Sequence, residues 1–205
     1  MNVLIYILGT LISYLLGSIN GALVVSKILK KDMTKSGSKN LGASNATITL
    51  GPIWGVVVGA FDIFKGFIVV FLARMIFSDL SYLPYIVSTA AILGHIFPVF
   101  NKFKGGKGFA TLMGSILGYN FIVFAIAGAL VIIITFVTDY IVIATVTMSI
   151  GFPVFVGIYT GNPFFSAILA IASITILIKH SENYVRIFKK EEIGIRSALS
   201  KKHRI

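Results

Sequence analysis

The chain has 205 residues, of which 57% are hydrophobic and 12% are charged, and its mean hydropathy is +0.95. A soluble domain carries roughly 25% charged residues, so this composition excludes a soluble protein and predicts a polytopic membrane protein. No polar stretch is long enough to build a separate core, and we expect one membrane-embedded domain over residues 1–205. The sequence contains no cysteine, which excludes disulfides and thiolate metal sites.

The net charge of +11 is concentrated rather than spread over a surface. Sixteen of the eighteen basic residues fall in three clusters, at residues 27–39, 102–107 and 179–204. Basic residues accumulate in the cytoplasmic loops of membrane proteins, so we expect all three clusters on the cytoplasmic side and no nucleic acid as a partner. The predicted turns between the clusters hold no basic residue: 78–83, 119–120 and 161–162.

Apolar segments predict the membrane helices in chain order. The first covers residues 3–25, and it lacks the basic n-region and small-residue cleavage site of a signal peptide, so we expect it to be retained. The second, residues 46–77, exceeds the about 20 residues of a straight span. Three residues are expected to interrupt it: Pro52, Asp62 and Lys65. The later segments are 84–100, a short one at 109–117, and then 121–137, 141–159 and 163–178.

The charge pattern decides how these segments are counted. A cytoplasmic loop at 102–107 and a cytoplasmic tail require an even number of passes between them. Counting residues 109–117 as a short or re-entrant helix makes that number four. Merging residues 109–137 into one tilted helix would leave the basic tail outside, against the positive-inside rule. We expect an all-α protein with about seven transmembrane helices, an outside N-terminus and a basic cytoplasmic tail at 187–205.

The first of three polar segments is KSGSKNLGASN, residues 35–45, which leads directly into a predicted helix. Free backbone N–H groups at a helix N-terminus bind anions. A solvated loop with a helix cap is the alternative reading of such a Ser, Asn and Gly run. We favour the anion site because the segment is wedged against the membrane. Its candidate residues are Ser38, Lys39, Asn40, Gly42 and Asn45.

The second polar segment is KFKGGKGFAT, residues 102–111. It lacks the spacing of a Walker A loop but combines glycine backbone, lysine charge and the start of a helix. A positive-inside anchor is the alternative, and it fits Lys102 and Lys104. Glycine carries a conformational entropy cost, so we expect the glycines to let the backbone approach an anionic ligand. The candidate residues are Lys104, Gly105, Gly106, Lys107 and Gly108.

The third polar segment is KHSENYVR, residues 179–186, where the last apolar segment ends. On a continuing helix His180, Asn183 and Arg186 would share one side. Inside the membrane, His95 is either functional or bonded to a neighbouring helix. Asp62 and Lys65 are expected to compensate each other and to brace the lysine-glycine loop.

Together these segments describe a cationic, glycine-rich mouth that opens toward lipid, which suggests a ligand with an anionic head and an acyl chain. At these residues the chain resembles the bacterial acyl-phosphate-dependent glycerol-3-phosphate acyltransferases. The resemblance covers almost the whole chain. It rests on three ordered motifs, GSKNLGASN, LGHIFPVFNKFKGGKGFAT and HSENYVR, with DIFKG between the first two.

The resemblance implies a seven-helix enzyme of the bacterial plasma membrane, with its active site toward the cytoplasm. It would transfer a fatty acyl group from acyl-phosphate to the sn-1 hydroxyl of glycerol 3-phosphate, giving lysophosphatidic acid and phosphate, the first step of phospholipid synthesis. The resemblance implies no acyl-CoA or carrier-protein donor, no metal and no cofactor, and a monomer is favoured.

Carried over by position, five residues line two phosphate sites and orient the attacking hydroxyl: Ser38, Asn40, Lys107, His180 and Asn183. Thr145 stands where the family usually has a serine. His180 and the substrate's own phosphate are both able to accept the hydroxyl proton, and the sequence leaves the choice open.

The chain departs from the family pattern at Ile48, where the first motif generally has an arginine that helps to hold glycerol phosphate. Lys39 replaces a usual glycine, and it is the candidate for the missing cation, although Arg and Lys grip phosphate differently. Asn20 replaces a usual proline and Val142 a usual serine. These departures leave room for a paralogue with weakened activity or another acceptor.

Two other classes of protein stay open on the residues alone. A transporter for a phosphate-bearing metabolite would also need a cationic mouth and broken helices, but the sequence shows no internal repeat. A non-catalytic lipid- or phosphate-binding membrane protein is the second, and Ile48 favours it.

Overall fold

The computed structural model describes residues 2–200, with side chains through Ser197. All regular structure in this part of the chain is helical, as the composition predicts. A 3₁₀ turn at Val99–Asn101 follows the fifth helix. The helices are α1 (Asn2–Ser18), α2 (Gly21–Leu29), α3 (Ala43–Leu50), α4 (Pro52–Ile76), α5 (Leu83–Ile96), α6 (Phe109–Tyr119), α7 (Phe121–Thr138), α8 (Ile141–Thr160), α9 (Pro163–Lys179), α10 (Ser181–Phe188) and α11 (Ile195–Ser200).

The first predicted span is two helices rather than one. The chain leaves the helical path at Ile19 and Asn20, and the side chain of Asn20 caps α2 by accepting a hydrogen bond from the Leu23 N–H at 3.1 Å. An asparagine oxygen that bonds the backbone favours a helix start over a helix interior. The bent segment Asn2–Leu29 is nevertheless long and apolar enough to cross a membrane.

The second predicted region breaks at Gly51, whose φ of 101° lies in a region that favours glycine. Pro52 then occupies the first turn of α4, where its missing N–H is tolerated. The interruption expected at Pro52 is therefore confirmed. The interruptions expected at Asp62 and Lys65 are wrong, because both residues lie inside the continuous α4, where they form an ion pair at 2.9 Å.

Five helical segments in residues 2–200 are long and apolar enough to span a membrane: Asn2–Leu29, Pro52–Ile76, Leu83–Asn101, Phe121–Thr138 and Ile141–Thr160. The pair α9 and α10, which is bent by 45°, is a sixth when it is counted as one span. The apolar α6 is shorter, at 11 residues. A total of seven therefore needs α6 as a crossing helix and stays a prediction.

Helix α6 packs against α4 with the two backbones in direct contact. A β-carbon added at Gly66 would overlap the carbonyl oxygen of Thr111, and one added at Gly114 would overlap that of Ile63. Small residues allow this close approach between membrane helices. At the end of α6, Arg74 donates hydrogen bonds to the carbonyls of Gly118 and Tyr119, which satisfies acceptors that a helix terminus leaves free.

The bundle has two distinct ends. At the aromatic end, Tyr85 stacks on Tyr119 and Phe165 with ring centroids 5.1 and 4.2 Å apart, so α5 and α9 start where α6 ends. At the loop end, residues 102–108 lie beside α10. The tail is also here, because the Ile195 N–H donates to the Asp139 carbonyl in the α7–α8 turn at 2.9 Å. Helix α6 therefore leads from one end to the other.

The largest buried core lies between α5, α6, α8 and α9, whereas α7 turns most of its residues outward. The predicted tail at 187–205 begins within α10 and includes α11, and residues 201–205 lie outside the described part. Residues 194–196 rest on the α7–α8 turn, where Arg196 also donates to the Phe136 carbonyl at 2.9 Å. The tail thus packs against the bundle at the loop end.

The expected orientation, with the N-terminus outside and the tail inside, predicts which positions a membrane-impermeant thiol reagent reaches on intact cells. Single cysteines replacing Asp79 and Asn162 should be labelled directly, whereas cysteines replacing Ser38 and Lys190 should be labelled only after permeabilisation. The chain has no native cysteine, so each variant reports one position. Labelling of position 38 on intact cells would overturn the orientation derived from the basic clusters.

Candidate active site

The lysine-glycine loop, residues 102–108, folds back onto the end of α5. Lys102 and Phe103 have φ values of 50° and 59°, in the left-handed region, and they reverse the chain after the 3₁₀ turn. The N–H of Gly106 then donates to the carbonyl of His95 at 3.1 Å. Gly108, with φ of 91°, precedes α6, whose first turn presents N–H groups that have no partner within the helix.

The glycines of this loop are required by packing within the protein. A β-carbon at Gly105 would overlap the His95 carbonyl, one at Gly106 would overlap the His95 ring, and one at Gly108 would lie 2.9 Å from Ile96 Cδ1. We expected these glycines to let the backbone approach a ligand. The side of each glycine that a β-carbon would occupy is filled, mainly by α5, so packing gives a second reason for the glycines, and the approach to a ligand stays a prediction.

Lys107 joins the loop to α10. Its ammonium donates a hydrogen bond to Asn183 Oδ1, and the Asn183 amide nitrogen donates to Glu192 Oε1 at 2.7 Å. Arg186 Nε donates to the other Glu192 oxygen at 2.6 Å. These four residues, which we call the Lys107 cluster, come from three separate parts of the chain and meet at the N-terminus of α6.

The Lys107 cluster carries two cations and one carboxylate, so it has a net charge of +1. Partial burial lowers the pKa of Lys107 below its ordinary value of 10.5, the positive charge of Arg186 lowers the pKa further, and Glu192 opposes the shift. Glu182 lies 3.9 Å from Arg186, but it is 84% exposed and solvent screens such a pair. The surplus charge beside free helix N–H groups suits an anion.

His180 occupies the break between α9 and α10. The prediction of one continuing helix through His180, Asn183 and Arg186 is therefore wrong. The polar ring lies where the chain bends by 45°, and its Nδ1 lies 2.8 Å from the carbonyl of Ile176. A carbonyl only accepts, so Nδ1 carries the proton and Nε2 is left as an acceptor. His180 and Asn183 are both buried.

Asn45 organises the segment of residues 35–45 from inside. Its amide nitrogen donates to the carbonyls of Met33 and Ser36 at 3.2 and 3.1 Å, and its oxygen accepts from the Ser38 N–H at 2.9 Å. The residue is 0% exposed. We expected Asn45 to bind substrate. Both polar atoms of the side chain are engaged in holding the segment, and a role of Asn45 toward substrate stays a prediction.

Lys39 has a φ of 57°, in the left-handed region where glycine is favoured and other residues are strained. This explains physically why a glycine would be usual there. The Lys39 side chain is exposed, and Ile48 is 59% exposed on α3. Asn40 and Gly42, which follow Lys39 in the chain, are half-buried. A β-carbon added at Gly42 would lie 3.2 Å from the Asn40 amide nitrogen.

The segment of residues 35–45 and the lysine-glycine loop meet at Leu41. The Leu41 carbonyl accepts a hydrogen bond from Asn20 Nδ2 at 3.1 Å, and a β-carbon at Gly106 would lie 2.8 Å from the same oxygen. Two of the three predicted polar segments therefore touch here, and the third joins them through Lys107 and Asn183.

Within the described residues, two predicted site residues show no hydrogen bond to the Lys107 cluster. Lys104 is exposed, and its carbonyl accepts from the Asn101 side chain at 2.5 Å. Thr145 is buried in α8, where its hydroxyl donates to the Ile141 carbonyl at 3.1 Å. Their roles toward a substrate stay predictions. Within residues 2–200 no three His, Asp or Glu side chains lie together in a way that could hold a metal ion.

Sequence reasoning missed Glu192, the carboxylate that links Asn183 to Arg186. A signal was present, because Glu191 and Glu192 form an acidic pair within the most basic part of the chain. It also missed Asn20, whose side chain bonds both the start of α2 and Leu41. The neighbours of Asn20 in sequence are apolar, and nothing in them indicates the distant carbonyl.

The sequence matches a family model described as Glycerol-3-phosphate acyltransferase over residues 7–190. Glycerol-3-phosphate acyltransferase 1 of Oceanobacillus iheyensis is 34% identical over 206 residues, covering 96% of this chain and 98% of the relative. A glycerol-3-phosphate acyltransferase of Staphylococcus carnosus is 35% identical, covering 93% and 98%.

Two solved structures share the fold. The crystal structure of PlsY (YgiH), an integral membrane glycerol 3-phosphate acyltransferase, in its glycerol 3-phosphate form has a TM-score of 0.88 at 30% identity, covering 97% of this chain and 99% of that one. The lysophosphatidic acid form has a TM-score of 0.84 at 31% identity, covering 94% and 96%. With a matching family model, relatives along nearly the whole chain and the same helical fold, this chain belongs to the glycerol-3-phosphate acyltransferase family of integral membrane proteins.

Proposed function

We propose that this chain transfers a fatty acyl group from an acyl-phosphate to the sn-1 hydroxyl of glycerol 3-phosphate, giving lysophosphatidic acid and inorganic phosphate. The observation that carries the proposal is the Lys107 cluster at the N-terminus of α6, beside the buried imidazole of His180. The related PlsY structures are of glycerol 3-phosphate and lysophosphatidic acid forms, which are the acceptor and the product of this reaction.

An acyl-phosphate donor fits the chemistry that the site offers. It is a mixed anhydride, so the leaving group is already activated and no covalent intermediate on a serine or cysteine is required. The acceptor oxygen forms the ester bond to the acyl carbon, the bond from that carbon to the phosphate oxygen breaks, and phosphate leaves with the electron pair. The enzyme then has to hold two anions side by side and offset their repulsion.

The site residues divide these tasks in the proposal. Lys107 and the free N–H groups of the first turn of α6 hold a phosphate. The ammonium and the N–H groups are both positive, and they lie together at the N-terminus of α6. Asn183 orients the Lys107 ammonium through its side-chain oxygen. His180 takes the proton of the attacking hydroxyl on Nε2, since its Nδ1 is committed to the Ile176 carbonyl. Ser38 and Asn40, in the segment of residues 35–45, are proposed to help line the phosphate sites and orient the attacking hydroxyl.

The same proposal sets the surroundings of the enzyme. The Lys107 cluster lies at the loop end, where the tail also packs, and the positive-inside pattern assigns that end to the cytoplasm of a bacterial cell. Glycerol 3-phosphate would enter from water and the acyl-phosphate from the membrane. We also propose that the chain acts as a monomer.

An assay with purified protein tests the activity. Radiolabelled glycerol 3-phosphate and synthetic acyl-phosphate should give labelled lysophosphatidic acid and an equal amount of inorganic phosphate, whereas acyl-CoA and acyl carrier protein should give none. In sealed vesicles a transporter would accumulate the label unchanged. A non-catalytic binding protein would retain label without product, and either result would contradict the proposal.

Three substitutions separate the roles of the site residues. Lys107→Ala should raise the KM of a phosphate-bearing substrate by about tenfold to a hundredfold, because a charge-assisted hydrogen bond is lost. His180→Gln should lower kcat by about 10²-fold to 10⁴-fold with little change in KM, as expected for a lost base. Lys102→Ala, at an exposed position of the same loop, is the control and should resemble the wild type.

These variants also have results that contradict the assignments. Folded Lys107→Ala protein with wild-type kinetics would mean that the loop is only a membrane anchor. A loss of kcat below about tenfold in His180→Gln would assign the proton to a phosphate oxygen of the substrate instead, because general-base loss costs more than that.

Lys39 and Ile48 test the departure from the family pattern. Ile48→Arg should lower the KM for glycerol 3-phosphate by about tenfold, corresponding to about 1.5 kcal/mol for a charge-assisted pair. Lys39→Gly should raise that KM while it stabilises the protein by about 1 kcal/mol, since the left-handed strain is relieved. Lys35→Ala, which removes an exposed cation from the same segment, is the control. If neither substitution changes the KM, the acceptor does not bind against α3.

A further inference from the structure

The ammonium of Lys65, buried in α4, contacts four groups from three other places in the bundle and its own helix. It donates to the carbonyls of Gly17 and Ile19 at 2.9 and 3.0 Å, and it lies 2.9 Å from His95 Nδ1. An ammonium has three N–H donors, and these three acceptors share them with Asp62 Oδ1, which also lies 2.9 Å away. Lys65 is only 4% exposed.

Asp62 completes this group with a negative charge in direct contact with the ammonium. Its Oδ1 lies 2.9 Å from Lys65 Nζ and 3.4 Å from His95 Nδ1, so the carboxylate faces both basic side chains. Compensation by Asp62 allows a cation to stay inside the bundle. Compensation alone would not require that the ammonium also contacts groups on α1, α5 and the α1–α2 break.

One series of contacts connects Lys65 to the segment of residues 35–45. Lys65 holds the carbonyl of Ile19 in the α1–α2 break, and the next residue, Asn20, donates from its side chain to the Leu41 carbonyl at 3.1 Å. Asn20 is 2% exposed, so this hydrogen bond is shielded from water. The position of Lys65 is thereby transmitted to Leu41 through one buried side chain.

A second series of contacts connects Lys65 to the lysine-glycine loop. The His95 ring accepts the Lys65 hydrogen bond on Nδ1 and places its other nitrogen against Gly106. The His95 carbonyl accepts the Gly106 N–H at 3.1 Å. Gly106 directly precedes Lys107, so the orientation of the His95 ring and the conformation of the residue before Lys107 are coupled.

We propose that Lys65 is a positioning residue that sets the spacing between the segment of residues 35–45 and the lysine-glycine loop, with Asn20 and His95 as its two connections. This inference rests on the proposed function insofar as both parts are assigned to phosphate-bearing substrates. A displacement of about 1 Å between groups that hold two reactants costs about a hundredfold in rate. One buried cation that sets the separation of both parts therefore controls how well the site fits its substrates, and a loss of fit that the ground state shares with the transition state raises KM.

A set of four variants tests the proposal by kinetics. Asp62→Leu with Lys65→Met removes the donors without leaving an unpaired buried charge. His95→Leu removes the ring acceptor, whereas His95→Asn retains an acceptor near the position of Nδ1. Thr89→Val is the matched control, because it removes a buried hydrogen bond from α5 to the Ile168 carbonyl that leads to neither substrate segment.

We expect the KM for glycerol 3-phosphate to rise at least tenfold in the double variant and in His95→Leu, and less in His95→Asn. Thr89→Val should lose thermal stability to a similar extent but keep its KM, since destabilisation alone reduces the folded fraction and not the affinity of folded enzyme. An unchanged KM in folded His95→Leu protein would overturn the proposal. The two His95 variants decide the question if the double variant does not fold.

A distance measurement tests the spacing without requiring turnover. The chain has no native cysteine, so cysteines can replace the exposed Lys35 and Lys102 and carry spin labels. Pulsed electron paramagnetic resonance then reports the distance between the segment of residues 35–45 and the lysine-glycine loop. We expect the distance distribution to shift or broaden in His95→Leu and to stay narrow in Thr89→Val. An unchanged distribution in His95→Leu would overturn the inference. Shifted distances in a protein without acyl-transfer activity would instead overturn the proposed function alone.

Discussion

The direct backbone contact between α4 and α6 decides where the Lys107 cluster lies. Lipid supplies no hydrophobic force between membrane helices, so close packing of small residues has to hold them together. Gly66 and Gly114 remove the side chains that would keep the two backbones apart. Because α6 has only 11 residues, this contact and the Arg74 hydrogen bonds to its end hold its first turn within the bundle, at the level where α9 bends.

Charge is organised around this contact in two layers of different exposure. Asp62, Lys65 and His95 form a buried group that is closed on itself, with the lysine donors engaged by backbone and ring acceptors. Lys107 and Arg186 lie nearer to water and retain a surplus positive charge beside Glu192. A compensated charge is suited to holding structure, whereas a partly exposed surplus is suited to receiving an anionic substrate.

The sequence predicted the helices well, because the apolar composition that a lipid environment requires can be read from the residues of each segment alone. It also predicted the break at Pro52, whose ring cannot continue a helix. It missed the break at Asn20, which depends on the distant Leu41 carbonyl, and it placed His180 inside a helix that bends there. It also did not indicate the hydrogen bonds by which Asn45 holds residues 33–38, because they form only when the segment folds.

The sequence by itself determined that the protein is an all-helical membrane protein with three short polar segments, because composition and residue spacing can be read without knowing which residues meet. Only the tertiary structure decided how those segments meet. Lys107 finds Asn183 76 residues away and Lys65 finds Gly17 48 residues away. Such pairings arise when packed helices bring together side chains of matching shape and hydrogen-bonding geometry. A local stretch of sequence does not show which helices will pack together.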